Sequence, residues 1–409
     1  MKIAIINRFF PPDGAMTGRS SQELARHLMA TIPSAEIKMF CSAAEYAANR
    51  AVDSDRDVAV DRLKTLRLPV PGKGGRLVNS MIEGRELARR AVRWADLVIS
   101  LTDPPLLGYW IAREIEQCGP AAPTWIEWTM DIYPEAFMSA RLSTETNPFF
   151  RELSRKLQDV TPDAFICLGP KQAAYVLERR QSDAKVFVLP CGLVARDNDP
   201  GEAPERLRSR DEKILFCYAG NVGEAHCPDL LPLLVDASDP EKHAFVFSLY
   251  GTHADAVKTK VASASNVELV DYVSPEQALH ADVHIASLKP EWNHVCVPSK
   301  AVSSVSLGKP MLYVGDANAD NGHMLERALW RLDRNADVDV YRRDLAEMLD
   351  IISQPGEIQR RSQNAEAVAR DLVDLKHRTF ADISAWIQRV LGSENASSAN
   401  RAAPLTSAA

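Results

Sequence analysis

The chain has 409 residues, of which 46% are hydrophobic and 25% charged, and its formal net charge is −7. That length suits two or three domains, the composition is that of a globular protein, and the acidic balance excludes a chain-wide nucleic-acid surface. Seven cysteines are scattered singly without a CxxC pair, and the nine histidines include no HExxH or HxxEH, so neither a disulfide framework nor a metal site is expected. The first apolar run is too short for a signal-peptide core, and no stretch approaches about 18 apolar residues. The expectation is a cytoplasmic protein with any membrane contact peripheral.

In chain order, residues 1–6 (MKIAII) form a β-branched apolar run. Pro11-Pro12-Asp13-Gly14 and Gly18 follow, then helical spacing over 20–28 with Leu24 and Leu28 at i, i+4. Strand, glycine-bearing turn and helix open a parallel α/β domain. Residues 95–101 (ADLVISL) are continuously apolar, as a strand covered on both faces requires. A turn at 102–105 and a helix through 109–115 come next, with further strands expected at 124–128, 164–168 and 185–189. Residues 195–210 are polar, charged and proline-bearing and read as a linker. The alternation then restarts, with strands at 213–218, 244–249, 267–270, 281–288 and 310–314 and helices from Pro228, over 275–280 and from Ser299. The expected fold is α/β, two Rossmann-like doubly wound domains facing a central cleft. The first spans 1–195, a linker 196–210, the second 211–375; a helix over 376–391 crosses back to the first domain, and a disordered tail fills 392–409.

Four constellations carry candidate chemistry. In the turn 11–19, Gly14 and Gly18 would let backbone N–H groups approach an anion beside Arg19, or form a plain strand-to-helix turn. Gly220, Asn221 and Gly223 follow the first strand of the second half and would cradle a diphosphate, or again simply turn the chain. Ser299 stands at an N-cap-like position with Lys300 beside it, either a phosphate site or a capped helix with a solvated lysine. Glu127, Asp131 and Glu135 form an acidic cluster after a strand. Asp131 is the catalytic or acceptor-binding candidate and Glu135, one helical turn on, the reserve; a helix cap is the alternative. Separately, residues 62–94 hold nine Lys or Arg against Glu83 and Glu86, a net +7 within a chain of −7. With apolar residues interleaved, that stretch suits docking on an anionic membrane surface, or is an ordinary solvated helix face.

Taken jointly and in this order, 9–14 (FFPPDG), 128–135 (WTMDIYPE), 218–223 (YAGNVG) and 297–300 (VPSK) with 308–310 (GKP) resemble the retaining GT-B glycosyltransferases of the large family four, in particular bacterial enzymes of capsule, exopolysaccharide and O-antigen assembly. The resemblance spans about residues 1–333. It implies a hexosyltransferase-type enzyme with a nucleotide-sugar donor in the second domain and a saccharide or lipid-linked acceptor in the first. Retention without a metal or other cofactor, no nucleic-acid partner and a place at the inner face of the cell membrane are also implied. Two glutamates usual in that family fall at Val295 and Ser303 here, and its basic residues after the glycine loop are replaced by Glu224, Ala225 and His226. Lys300 and Arg19 are then left to carry the phosphate charge, and Glu291 to contact a sugar hydroxyl. A sugar-nucleotide epimerase and a catalytically impaired partner protein are the alternative expectations.

Overall fold

The computed structural model describes residues 1–43, 58–64, 72–194 and 213–401, with backbone alone at 72–74, 76 and 393–401. The expected linker 196–210, residues 65–71 of the basic stretch and the tail from 402 to 409 lie outside the described residues.

Strands β1 (Lys2–Ile6), β2 (Glu36–Ser42), β3 (Ala59–Leu63), β4 (Leu97–Ser100), β5 (Thr124–Thr129), β6 (Ala164–Cys167) and β7 (Lys185–Val188) form one sheet in the order 3-2-1-4-5-6-7. Strands β8 (Ile214–Asn221), β9 (His243–Tyr250), β10 (Val267–Leu269), β11 (Val283–Ser287), β12 (Met311–Val314) and β13 (Leu329–Leu332) form a second in the order 10-9-8-11-12-13. All pairings between these strands are parallel. Strands β4, β5 and β6 are buried along their whole length, and β4 and β6 accordingly read as near-continuous apolar runs, while β5 carries the buried Glu127. Strands β2, β3 and β13 were not expected. Lys38 interrupts β2, and the edge strand β3 carries Asp61 and Arg62, so neither presents a clean apolar run.

In each sheet the strand order reverses beside its first strand, between β1 and β4 and between β8 and β11. Loops leaving the carboxyl ends diverge there and open a crevice. The two crevices face each other, joined where the Ile132 N–H donates to the Val295 carbonyl at 2.9 Å and Asp131 forms an antiparallel bridge with Cys296.

A second junction is a helix cap shared between domains. The helix Pro170–Arg180 starts after Gly169, which has no side chain to satisfy its first amides. Asp320, on the helix Asp320–Met324 of the second domain, accepts instead from the N–H groups of Lys171 and Gln172, both at 2.8 Å. Gly169 is also a steric requirement, because a Cβ there would stand 2.2 Å from Asp320 Oδ1.

The helix Glu357–Arg401 ties the domains a third time. Its Ala365, Val368 and Leu372 pack with Val302, Val305 and Tyr313, while Phe380, Ile383, Ile387 and Leu391 pack with Ile3, Leu24 and Leu28 of the first domain. Burying each large side chain contributes about 1.5–3 kcal/mol. It starts well before residue 376 and runs through 392–401, since this stretch holds no proline and only Gly392 among glycines.

Asp320→Ala leaves two buried amides without a partner and should destabilise the protein by about 1–3 kcal/mol. Gly169→Ala should do comparable harm, yet combining it with Asp320→Ala should cost much less than the sum, because the collision is gone. Urea denaturation of the four proteins checks this; strictly additive losses would show that the two residues do not act on each other.

Candidate active site

Three cavities of about 370, 310 and 330 Å³ run along the cleft, and Ser299 lines all of them. Ser299 opens the helix Ser299–Ser306, which has no side-chain cap, so its first N–H groups remain available to an anion. Lys300 follows, half-buried, its Nζ donating to the Asn221 carbonyl at 3.3 Å and lying 3.4 Å from the centroid of the Tyr218 ring. Burial pushes the Lys300 ammonium well below its ordinary range, with the Cys217 thiolate form as the opposing influence. A cation held against an aromatic face and a carbonyl, with burial outweighing what surrounds it, is a group awaiting an anion. Gly220 makes this packing possible. Its φ is +139°, and a Cβ there would come within 2.9 Å of Lys300 Cε.

Gly14, Arg19, Gly220, Asn221, Ser299 and Lys300 thus converge on the largest cavity, and Gly223 lines its neighbour. Two residues of the expected phosphate and sugar set do not join them. Gly18 is buried against the preceding turn, where a Cβ would meet the Phe9 carbonyl oxygen at 3.0 Å, so it serves close packing of the helix Met16–Thr31. Glu291 is exposed on the short turn Pro290–Trp292 and faces Arg141 of the first domain at 3.4 Å, outside the three cavities.

The acidic cluster divides into three environments. Glu127 is buried inside β5, where desolvation raises its pKa against the pull of Arg180. Glu135 is 1% exposed and paired with Arg179 at 3.2 Å, behind the cleft wall rather than in it. Asp131 lines two of the cavities, its N–H donating to Thr102 Oγ1 at 2.9 Å. Asp131 keeps solvent access to the cleft, and desolvation by the surrounding walls raises its pKa to about 6. Asp103, on the loop after β4, lines the same cavity; burial lifts it to about 7, Arg8 opposes, and Glu83 and Asp131 add to the rise. Asp103 went unread in the sequence as part of a turn, although its place directly after a strand at the order reversal was the available signal.

At the positions where the sequence resemblance implies glutamates, Val295 is buried with its carbonyl engaged by Ile132, and the Ser303 hydroxyl donates to the Gly192 carbonyl at 2.6 Å. Both join the domains. In the basic stretch, Arg89 and Arg90 bind Glu86, Arg90 also reaches Asp61 at 3.2 Å, and Arg93 faces Glu114 at 3.7 Å. Local acids therefore offset part of the excess positive charge. Val78 and Ile82, each 42% exposed, share a helix face with Arg85 and Arg89.

Solved structures share this arrangement. The sucrose-phosphate synthase of Thermosynechococcus elongatus superposes with a TM-score of 0.68 at 14% identity, covering 96% of this chain and 100% of that one. WaaG, a glycosyltransferase involved in lipopolysaccharide biosynthesis, gives 0.64 at 12% over 92% and 98%. Anabaena HepE, in complex with UDP and glucose, gives 0.62 at 13% over 94% and 99%. The fold is GT-B. At these identities the likeness is one of fold, and in GT-B terms the cavities described above lie in the interdomain cleft. No family model matches the sequence, and no curated protein is similar to it by sequence.

The Lys300 environment predicts an anion site by itself. Inorganic pyrophosphate should bind, and Lys300→Met, which keeps bulk but removes charge, should weaken it by about tenfold to a hundredfold, the scale of one charge-assisted hydrogen bond. Calorimetry that finds equal affinity in both proteins would remove Lys300 from the site.

Proposed function

We propose that the protein is a retaining, metal-independent glycosyltransferase that moves a sugar from a nucleotide-sugar donor in the second domain to a saccharide acceptor in the first. The observation that carries this reading is the separation of charge across the cleft. One wall presents Lys300 and the free amides of the helix Ser299–Ser306; the other presents Asp103 and Asp131. An anionic leaving group suits the first wall, and hydroxyl groups suit the second. The GT-B frame shared with a protein holding UDP and glucose, and the motifs 218–223 and 297–300, support the same assignment.

In this reading the acceptor oxygen bonds to the anomeric carbon as the bond to the phosphate oxygen breaks, and the hydroxyl proton passes to that departing phosphate oxygen. Asp131 orients the acceptor hydroxyl and Lys300 offsets the charge that develops on the diphosphate. The acceptor is lipid-linked and the product belongs to a bacterial surface polysaccharide. The Val78, Ile82, Arg85 and Arg89 face docks the enzyme on anionic lipid at the inner side of the membrane. Among the described residues no helix is long and apolar enough to cross a membrane. A second reading, a binding partner without transferase activity, is favoured by the absence of acids at Val295 and Ser303. Release of free sugar from the donor by the purified protein separates the two.

Four outcomes are expected. A nucleoside diphosphate such as UDP or GDP, present at about 100 times its Kd, should stabilise the protein by about 2.7 kcal/mol in a thermal scan. Transfer should fall as pH drops through about 6, where Asp131 becomes protonated and loses its role. Asp131→Asn should remove that limb of the pH profile and lower kcat by about 10²–10⁴-fold while leaving donor Kd nearly unchanged. An unaltered kcat in that variant would place the acceptor-orienting group elsewhere. Binding to phosphatidylserine vesicles should decrease with salt and be lost on combining Arg85→Glu with Arg89→Glu; salt-independent binding would refute the docking face.

A further inference from the structure

His226 stands where two of the cleft cavities meet. It lines both the cavity of about 370 Å³ and the adjoining one of about 310 Å³, as do Asn221, Pro298 and Ser299. The His226 Nδ1 lies 2.7 Å from the Ser287 carbonyl oxygen. A carbonyl has no hydrogen to give, so Nδ1 carries the proton and Nε2, on the other edge of the ring, keeps a lone pair.

The charged groups around the ring are Lys300 from the helix Ser299–Ser306 and Lys289 from the loop after β11; both disfavour the imidazolium. Arg19 and Tyr250 line the first cavity with it, and Asp131 the second. Glu224, on its own loop, faces His253 at 3.4 Å. Burial is the largest influence, and with Lys300 it lowers His226 to about 3. His226 and Lys300 are therefore two bases at one cavity wall, each held away from its protonated form by burial.

We propose that His226 Nε2 is a second ligand to the donor diphosphate and takes up a proton as that anion enters the cleft. This rests on the donor site assigned above. An anion within about 4–6 Å raises the pKa of a base by about one to three, and a diphosphate brings more than a single charge. The free ring titrates at about 3 and the liganded ring higher. Between those two values each binding event takes up a proton at His226, so affinity falls as pH rises, by up to about tenfold per pH unit. Above the liganded value the ring is neutral in both states and its contribution is flat.

Two substitutions isolate the ring atom. His226→Asn keeps an amide donor where Nδ1 meets Ser287 and deletes Nε2, whereas His226→Gln places an uncharged amide near the Nε2 position. The experiment is calorimetric titration of UDP, and in parallel GDP, into the full chain between pH 5.5 and 8, in buffers of differing ionisation enthalpy. The wild-type protein should take up more protons than either variant near pH 6, and its affinity advantage over His226→Asn should shrink toward pH 8. Equal proton uptake in all three proteins overturns the proposal, with Lys300 or the phosphate itself then responsible for any uptake. Absence of binding by either nucleotide at every pH overturns the donor-site reading along with it.

Discussion

The helix Pro170–Arg180 begins at a glycine and receives its cap from a carboxylate of the opposite domain, so its first turn is satisfied only while the domains stand together. That cap continues into the cleft. Gln172, whose N–H is held by Asp320, is fully buried and accepts through its side-chain oxygen from the Leu168 N–H at 2.8 Å and from Thr129 Oγ1 at 3.2 Å. Its amide nitrogen donates to the Met130 carbonyl at 3.4 Å. Asp131 is the next residue. The position of Asp131 therefore depends on a hydrogen-bonded chain that starts in the second domain, and any change of domain spacing at Asp320 reaches Asp131 through four linked residues.

The two walls of the cleft are unlike in a way that follows from what each must hold. Lys300 is placed against an aromatic ring and a carbonyl rather than an acid, and Asp131 is raised by desolvation. Arg62, whose guanidinium donates to the Pro11 carbonyl, fixes the turn that carries Gly14 between those walls. Burial disfavours the charged form of each group, and an anion at Lys300 or a hydroxyl at Asp131 relieves part of that cost.

The frame was legible in the sequence because parallel strands covered on both faces are rich in apolar residues, as 1–6, 95–101, 164–168 and 281–288 are. Gly220 was read as part of a diphosphate cradle or a plain turn; it lies within β8, and its packing against Lys300, 80 residues further along the chain, had no local signal. The fates of Glu127, Asp131 and Glu135 were not. Four-residue spacing is identical for all three, but β5 ends between the first and second, and Arg179, 44 residues further along the chain, pairs with Glu135. Glu291 was misplaced by the same limitation, because its partner Arg141 lies across the domain boundary. Gly169 carried no sign of its function, as the residue that forbids a side chain there is 151 positions further along the chain. Local pattern specifies elements; pairing between distant loops decides which polar groups face the cleft.

The helix Glu357–Arg401 has apolar anchors at Leu372 and before in one domain and at Phe380 and after in the other, with the polar segment 373–378 between them. A continuous helix resists bending, so this span behaves as a leaf spring laid across the back of the hinge. Opening or closing the jaws must flex it or lift one anchored end. The gap between the domains at rest is then an elastic property of the whole molecule, set on the side away from the chemistry, and substitutions in 373–378 would retune it without touching a single residue of the cleft.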